Sequence, residues 1–335
     1  MNLWMNSTIW KKRLRPKTNR HTRIAVPVFL NQSAFTISPT PAEVPSLFLP
    51  PPTMNSSFAC HAIPNTPGPF LVDGFKLKSP ATKHYFLSHF HGDHYGGLNE
   101  TFNSGVIYCT PTTQRLCVNV LHVNPSCIVA LELDTRTEIT PGIHVTLFDA
   151  NHCPGAALLQ FELPNNITHV HTGDMRFHPK MKLYNWHRPI DTLFLDTTYG
   201  KPNCVFMTQA KAIQFAVDSI NTDALRNHAS IEKTLFLIGA YNIGKERLLL
   251  RIGSELNVKI GVEQRKMNEH LFSLYPSKKE RNELFTVNEQ ETNVHVCRMN
   301  YCGELWPYFR KFVWWNVVVA VVVVVALMFF SFDEL

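Results

Sequence analysis

The sequence predicts a fold of the α/β class whose strands end at one common rim. Short apolar runs of strand length recur through the middle of the chain, separated by turn residues. Several of these runs end in a histidine or an aspartate. Segments with helical spacing of apolar residues occur at residues 112–123 and 207–220. Successive strands with such polar ends indicate a shared site at one edge of the fold.

The first of these strands leads into the motif around which the chain is organised. Residues 85–87 are apolar, and the turn that follows carries His89, His91, Asp93 and His94. Side chains two apart on an extended segment point to the same side, so His89 and His91 can converge on one point. Asp93 and His94 can face a second point nearby. Imidazole and carboxylate are typical zinc ligands, with manganese or iron as alternatives. A solvated polar turn is the weaker interpretation.

Two further candidates lie at strand ends on either side of this motif. An apolar run that begins at Pro69 ends in Asp73, just before a glycine. Residues 143–149 read as a strand that stops at a Pro-Gly turn carrying His152. A second strand, residues 156–163, follows at once, so His152 is expected at the mouth of a hairpin.

The same plan recurs twice downstream. One strand ends at Asp174, and the next ends at Asp196, directly before Thr197 and Thr198. These two hydroxyls, like that of Ser88 in the central motif, could bind phosphate oxygens, although polar residues at strand ends are common. We therefore predict that the ligands converge from several successive strands.

A near-match to a phosphate loop occurs further along, at residues 239–246. A strand at residues 234–238 precedes it, and a helix is predicted to start near Lys245. Glu246 stands where a nucleotide hydrolase requires Ser or Thr, so the hydroxyl that would bind magnesium is missing. We predict no nucleotide cofactor, although Lys245 at a helix N-terminus could still favour DNA phosphate.

Composition favours an intracellular protein with an anionic partner. The formal net charge is +6, and none of the eight cysteines forms a Cys-x-x-Cys motif, which indicates reduced thiols. Residues 1–67 are predicted to form a disordered extension, basic at first and then proline-rich. The basic cluster suits nuclear import, an organellar transit peptide or no specific role.

The C-terminal tail, residues 312–335, is strongly hydrophobic. Residues 312–332 contain no charged side chain and two small polar ones, Asn316 and Ser331, and the run is long enough to span a bilayer. Arg310 and Lys311 precede this run, which suits a tail anchor with its N-terminal side in the cytosol. A buried strand and a non-native end of the sequence are the alternatives.

Together these motifs resemble the metallo-β-lactamase superfamily. The resemblance rests on the central histidine motif, His152 and Asp174, with Asp73 ahead of them. The sequences around His152, Asp174 and Asp196 are similar to the β-CASP branch, and specifically to the DNA cross-link repair nucleases that include Artemis. The resemblance extends from about residue 69 to about residue 308, and the family's later histidine motif is not found in the sequence.

This resemblance implies a fold and a domain order. The fold would be an αβ/βα four-layer sandwich with a partial β-CASP insert. Residues 68–205 would form the metallo-β-lactamase-like domain and residues 206–311 the partial β-CASP region. The family would be expected to continue beyond Leu335 to its closing strands.

The resemblance also implies roles for the candidate residues. His89, His91 and His152 would hold the first of one or two zinc ions, with Asp174 bridging to a second ion. Asp93 and His94 would face that second ion, and Asp73 would support the histidine turn. Asp93 and Asp196 are the predicted catalytic residues, Asp196 being the first β-CASP motif.

The predicted function is hydrolysis of DNA phosphodiester bonds by a metal-activated water. The resemblance points to a nuclear 5′ exonuclease of cross-link and damage repair, acting on single- or double-stranded 5′ ends. Two alternatives remain open at this stage. One is a truncated, inactive relative that binds DNA or a partner, and the other is a membrane-anchored hydrolase of small esters or thioesters.

Overall fold

The computed structural model describes residues 61–77, 79–184, 186, 188–200, 207–226, 234–298 and 318–319. The predictions for residues 1–60, and for the hydrophobic tail apart from Val318 and Val319, lie outside the described residues. In the described part of the chain, no helix is both long and apolar enough to cross a membrane.

The first sheet carries the central histidine motif. It has five strands in sequential order, of which only β1 is antiparallel to its neighbour. The strands are β1 (Ala62–Ile63), β2 (Phe70–Val72), β3 (His84–Phe86), β4 (Val106–Cys109) and β5 (Ile128–Ala130). Helix α1 (Pro111–Leu121) covers one face, with Leu116 and Cys117 buried among Tyr85 and Ile107.

The second sheet also has five strands, in the order β10-β9-β8-β7-β6. They are β6 (Thr137–Thr140), β7 (Ile143–Asp149), β8 (Ala157–Glu162), β9 (Thr168–His171) and β10 (Thr192–Phe194). Strands β6 to β9 are antiparallel, as predicted for the hairpin at His152, and β10 is parallel to β9.

The first two sheets pack face to face. Phe70, Val72 and Phe86 of the first sheet share one buried cluster with Leu147 and Phe161 of the second. The alternation of apolar residues along β7 buries Val145 and Leu147 on this face. The predicted sandwich of the metallo-β-lactamase type is confirmed.

A third sheet follows in the region predicted as the insert. Its order is β13-β12-β14-β11-β15, and the described strands all pair in parallel. The strands are β11 (Thr234–Ala240), β12 (Ile260–Gly261), β13 (Phe285–Thr286), β14 (Val294–Arg298) and β15 (Val318–Val319). Its helices are α2 (Gln209–Arg226), α3 (Glu246–Leu256), a π-helix (Lys266–Leu271), α4 (Phe272–Leu274) and α5 (Lys278–Leu284).

Strand β15 contains the two described residues of the hydrophobic tail. Val318 and Val319 pair in parallel with Thr234 and Leu235 at the edge of the third sheet. At these two positions the structure has extended backbone, which is the geometry of the strand alternative rather than of a membrane helix.

Candidate metal centre

Four side chains predicted as ligands meet at one rim of the sandwich. His89 and His91 follow β3 of the first sheet, while His152 lies between β7 and β8 and Asp174 follows β9 of the second. One ligand atom from each of these residues lies within 4.8 Å of all the others. The ligands therefore come from both sheets, as expected of parallel and hairpin strands that end at the same edge.

The spacing of the ligand atoms fits one divalent ion. His91 Nδ1 lies 2.9 Å from His89 Nε2 and 3.2 Å from His152 Nε2. Asp174 Oδ2 lies 3.8 Å from His89 Nε2 and 3.6 Å from His152 Nε2. Tetrahedral zinc with bonds of about 2.0–2.1 Å separates neighbouring donor atoms by about 3.3–3.4 Å. Three ring nitrogens facing one another cannot all be satisfied by hydrogen bonds, whereas a cation would satisfy them together.

Burial keeps these imidazoles in the form that binds metal. It lowers the pKa of His89 to about 2, with further lowering by the charges of His94 and His91. Burial also lowers the pKa values of His91 and His152. At neutral pH the three rings are therefore neutral, and each offers a lone pair.

Asp73 and Ser88 orient His89. Asp73 Oδ1 accepts a hydrogen bond from the Ser88 backbone amide at 2.8 Å, and Oδ2 accepts one from Ser88 Oγ at 2.6 Å. Ser88 Oγ lies 2.9 Å from His89 Nδ1, so it can accept a hydrogen bond from the Nδ1–H group and leave the Nε2 lone pair free for a metal. Ser88 is 1% exposed, and its hydroxyl contacts Asp73 and His89, so the described geometry gives no support to the predicted phosphate contact.

His94 joins Asp73 to the opposite side of Asp174. His94 Nδ1 lies 2.8 Å from Asp73 Oδ2, and its Nε2 lies 3.2 Å from Asp174 Oδ1. Asp93 Oδ2 is 3.7 Å from His94 Nε2, on a side chain that is 81% exposed. Asp174 thus presents Oδ2 to the first ligand set and Oδ1 to His94, which is the placement expected of a bridging carboxylate.

The charges of this second group are coupled by hydrogen bonds. Burial lowers the pKa of His94, but hydrogen bonds to Asp174 and Asp73 outweigh that effect and raise it to about 10. The hydrogen bond from His94 lowers the pKa of Asp174 to about 2. A second cation at this position would therefore have to displace the His94 proton.

Asp196 supports the turn that carries Asp174 and lies outside the four-residue ligand cluster. Its Oδ2 accepts a hydrogen bond from the Met175 amide at 3.1 Å, and its Oδ1 accepts one from the Thr198 amide at 2.9 Å. Its own amide donates to Thr172 Oγ1 at 2.8 Å. Thr197 and Thr198 are exposed beside it, where a phosphate could reach them.

The ammonium group of Lys245 makes a hydrogen bond within the protein. Its Nζ donates to the Gly239 carbonyl at 3.0 Å, and burial lowers its pKa to about 8. The Gly244 amide, which would face an anion in a phosphate loop, donates instead to Glu246 Oε1 at 2.8 Å. The Glu246 carboxylate thus occupies the place of an anion in this loop, and the phosphate contact predicted for Lys245 gains no support from the described geometry.

One contact at the centre was not predicted from the sequence. Residues 241–245, hereafter the insert loop, place the fully buried Ile243 in the core beneath the histidine turn. His91 Nε2 is buried and has no hydrogen-bond partner in the described part of the chain. Burial lowers the pKa of His91, and the nearby backbone of Ile243 offsets part of that lowering. Tyr241 lies over the same histidine, with ring centroids 6.3 Å apart. A contact between segments so distant in sequence leaves no local signal.

Part of the chain is similar to known proteins. Residues 72–228 match the family model described as the beta-lactamase superfamily domain. The chain is 38% identical to DNA ligase 6 of Arabidopsis thaliana over 77% of its length, which is 19% of that protein. It is 42% identical to DNA cross-link repair protein SNM1 of the same plant over 60% of its length, 41% of that protein.

A similar relationship extends to an animal protein. The chain is 32% identical to 5′ exonuclease Apollo of Gallus gallus over 70% of its length, covering 48% of that protein. The chain thus spans less than half the length of each of these three relatives.

Proposed function

From the premise that this chain contains a beta-lactamase superfamily domain and is related to DNA cross-link repair proteins, we propose that it is a metal-dependent DNA nuclease. The observation that carries this proposal is the meeting of His89, His91, His152 and Asp174 within 4.8 Å. Three imidazoles and one carboxylate suit zinc, which we propose as the metal.

The chemistry of such a site is hydrolytic. A bound divalent ion supplies a Lewis acid and lowers the pKa of water from about 15.7 to about 7. Asp93, exposed beside His94, would orient a water molecule and accept its proton. Asp73 and Ser88 keep the histidine turn in position, and Asp196 holds the turn of Asp174. The imidazoles and Asp174 would hold the ion, Asp93 would act as the base, and Asp73 and Asp196 would support the turns that carry the ligands.

The substrate and the place of action follow from the relatives and the charge. The relatives are named as DNA cross-link repair proteins and as a 5′ exonuclease. A net charge of +6 suits a polyanionic substrate. We therefore propose 5′ ends of damaged DNA as the substrate and the nucleus as the site of action.

The test combines metal content with cleavage of 5′-phosphorylated single-stranded DNA. The wild type should contain zinc and degrade the DNA, and His91→Ala should lose both. His144→Ala, on β7 and outside the ligand cluster, is the matched control and should keep both. Bound zinc without cleavage would reject the nuclease and leave a folded metal protein. Cleavage that survives in His91→Ala would locate the activity elsewhere.

A further inference from the structure

A short basic and aromatic segment follows Asp174 and has no role in the centre described above. We call Phe177, His178, Lys180, Lys182 and Leu183 the basic ledge. Residues Pro179–Leu183 form a single 3-10 helix, whose first turn is closed by a hydrogen bond from the Lys180 amide to His178 Nδ1 at 3.1 Å.

One buried residue anchors the ledge and turns the rest outward. Met181 is 5% exposed and packs into the cluster that contains Phe148 and Leu158 of the second sheet. The residues on either side of it, Lys180 and Lys182, are exposed. This arrangement holds the two ammonium groups on a fixed piece of backbone instead of on a free loop.

The exposed part of the ledge is apolar as well as basic. Phe177 is 60% exposed and Leu183 is 84% exposed, an unusual position for large apolar side chains. The sequence contains no acidic residue from Met175 to Ile190, so the positive charge of the ledge is not offset by its own segment.

The ledge is tied to the rim of the metal centre. The Arg176 amide donates to the Ala150 carbonyl at 3.0 Å, and Asn151 Nδ2 donates to the Arg176 carbonyl at 3.3 Å. Asn151 directly precedes the metal ligand His152. Three residues of chain separate the Cα atoms of Asp174 and Phe177 by at most about 11 Å. A nucleic-acid strand bound at the metal centre can therefore reach the basic ledge.

We propose that the basic ledge binds single-stranded DNA that extends from the metal centre. One base would stack on Phe177, and the backbone phosphates would contact Lys180 and Lys182. Stacking on aromatic side chains combined with lysine contacts to phosphate is the general mode by which proteins hold single strands. This inference rests on the proposed function for its choice of DNA as the ligand.

The test is binding of a fluorescent oligo-dT to the full-length protein, followed by anisotropy over a series of salt concentrations with a chelator present to prevent turnover. Removing Lys180 and Lys182 together, as Lys180→Ala/Lys182→Ala, should reduce the slope of log K against log salt by about 1.4, or about 0.7 for each phosphate contact. Phe177→Ala should weaken binding about tenfold without changing the slope, and Phe177→Trp should restore it.

Matched controls lie on the insert. Lys278→Ala/Lys279→Ala removes two exposed lysines of α5, and Phe272→Ala removes a ring that is 45% exposed. Both controls should bind as the wild type does. Every variant should melt at the wild-type temperature, because the altered side chains are exposed.

Several results would contradict the proposal that the basic ledge binds single-stranded DNA. Binding and salt slope unchanged in the ledge variants would do so, as would equal losses in the control variants. Ledge-dependent binding of anionic phospholipid vesicles without ledge-dependent binding of DNA would assign the surface to a membrane. Stronger ledge-dependent binding of oligo-U would assign it to RNA. The nuclease proposal has its own test, because it would be rejected if the wild type did not cleave DNA when metal is supplied.

Discussion

Single side chains determine whether the metal ligands are correctly oriented. Asp73 accepts hydrogen bonds from Ser88 and lies within hydrogen-bond distance of His94, so one carboxylate acts on both histidine positions. Ser88 Oγ in turn fixes which nitrogen of His89 faces the site. Such outer contacts typically change metal affinity by about 10–100-fold when they are removed. The geometry of the ligands therefore depends on residues that do not touch the metal.

Gly173 tests how closely these residues must pack. It has φ +52°, and a Cβ at this position would lie 2.6 Å from the Ser88 Cβ. We expect Gly173→Ala to lower the free energy of unfolding by about 1–3 kcal/mol more than the same substitution at a glycine that has a positive φ but open space around it. The added methyl group overpacks a buried contact. It should also weaken zinc binding by displacing Ser88 from His89.

The control is Gly142→Ala, which shares a positive φ of +77° but would make only an ordinary contact of 3.5 Å with Pro164. Urea unfolding of both variants and zinc competition with a chromophoric chelator measure the two effects. Equal losses in the two variants would show that backbone conformation alone matters at Gly173.

His270 should make the free energy of unfolding depend on pH. Burial, followed by the charge of Lys266, lowers its pKa to about 4, and neither ring nitrogen has a hydrogen-bond partner among the residues that the structure describes. Because the folded pKa lies below the unfolded value of about 6.5, the stability present above pH 6.5 is lost as the pH falls towards 4. The loss from this residue is of the order of 3 kcal/mol.

His270→Leu keeps a similar volume without the titrating ring, so its unfolding free energy should fall less between pH 6.5 and 4 than that of the wild type. Urea unfolding of the metal-free protein at intervals across that range measures the difference. Parallel curves for the two proteins would exclude His270 as the acid-sensitive group.

Ligand residues were easier to predict from the sequence than their supporting contacts. The spacing of His89 and His91 is a local property, so the pattern placed both on one side of an extended segment. The described geometry gives no support to the phosphate contacts predicted for Ser88 and Lys245. Both were treated as exposed polar groups, whereas their hydrogen-bond partners, Asp73 and Gly239, are set by burial that the local pattern does not reveal.

At the scale of elements, the insert loop connects the third sheet to the histidine turn. Three charged side chains hold it. Lys245 donates to the Gly239 carbonyl, Glu246 accepts from the Gly244 amide, and Lys266 Nζ donates to the Tyr241 carbonyl at 2.8 Å. These contacts fix the backbone that presents Ile243 to the first sheet. The loop is therefore placed to act on His91 from outside the ligand set.

We expect Glu246→Ala to release this loop and to weaken zinc binding about tenfold, since an outer contact of His91 would be lost. Glu246→Gln keeps an oxygen that can accept the Gly244 amide and should restore most of the affinity. Glu255→Ala is the control, because Glu255 lies on the same helix and forms an i,i+4 ion pair with Arg251 at 3.2 Å. Chelator competition gives the affinities. Lower stability of the metal-free Glu246→Ala protein with unchanged zinc affinity would limit Glu246 to a structural role.

Helix α2 shows where element prediction stops. A helix was predicted from the apolar spacing of residues 207–220, but two apolar residues of that segment, Ala210 and Phe215, are exposed. The buried side is formed by Ala212, Ala216, Val217 and Ile220, with Ile213 partly buried beside them. Apolar character alone could not identify the buried face, because Phe215, the more apolar residue, is exposed while Ala212 and Ala216 are buried. The packing partner, here the third sheet, decides which side is covered.

At the scale of the molecule, a bound ion would join the two sheets of the sandwich. His89 and His91 belong to the first sheet, and His152 and Asp174 belong to the second. An ion that binds only the folded chain stabilises it by RT ln(1 + [M]/Kd), or about 2.7 kcal/mol at one hundred times Kd. Zinc should therefore shift the whole cooperative unfolding transition of these two sheets.

His152→Ala removes one ligand from the second sheet while leaving the first-sheet ligands in place. We expect this variant to lose most of the zinc-dependent stabilisation and to keep a metal-free stability close to that of the wild type, since His152 is a half-buried turn residue. Urea unfolding with and without zinc measures both quantities. If zinc stabilised His152→Ala as much as the wild type, the ion would bind elsewhere, and the two sheets would be held by their shared apolar core alone.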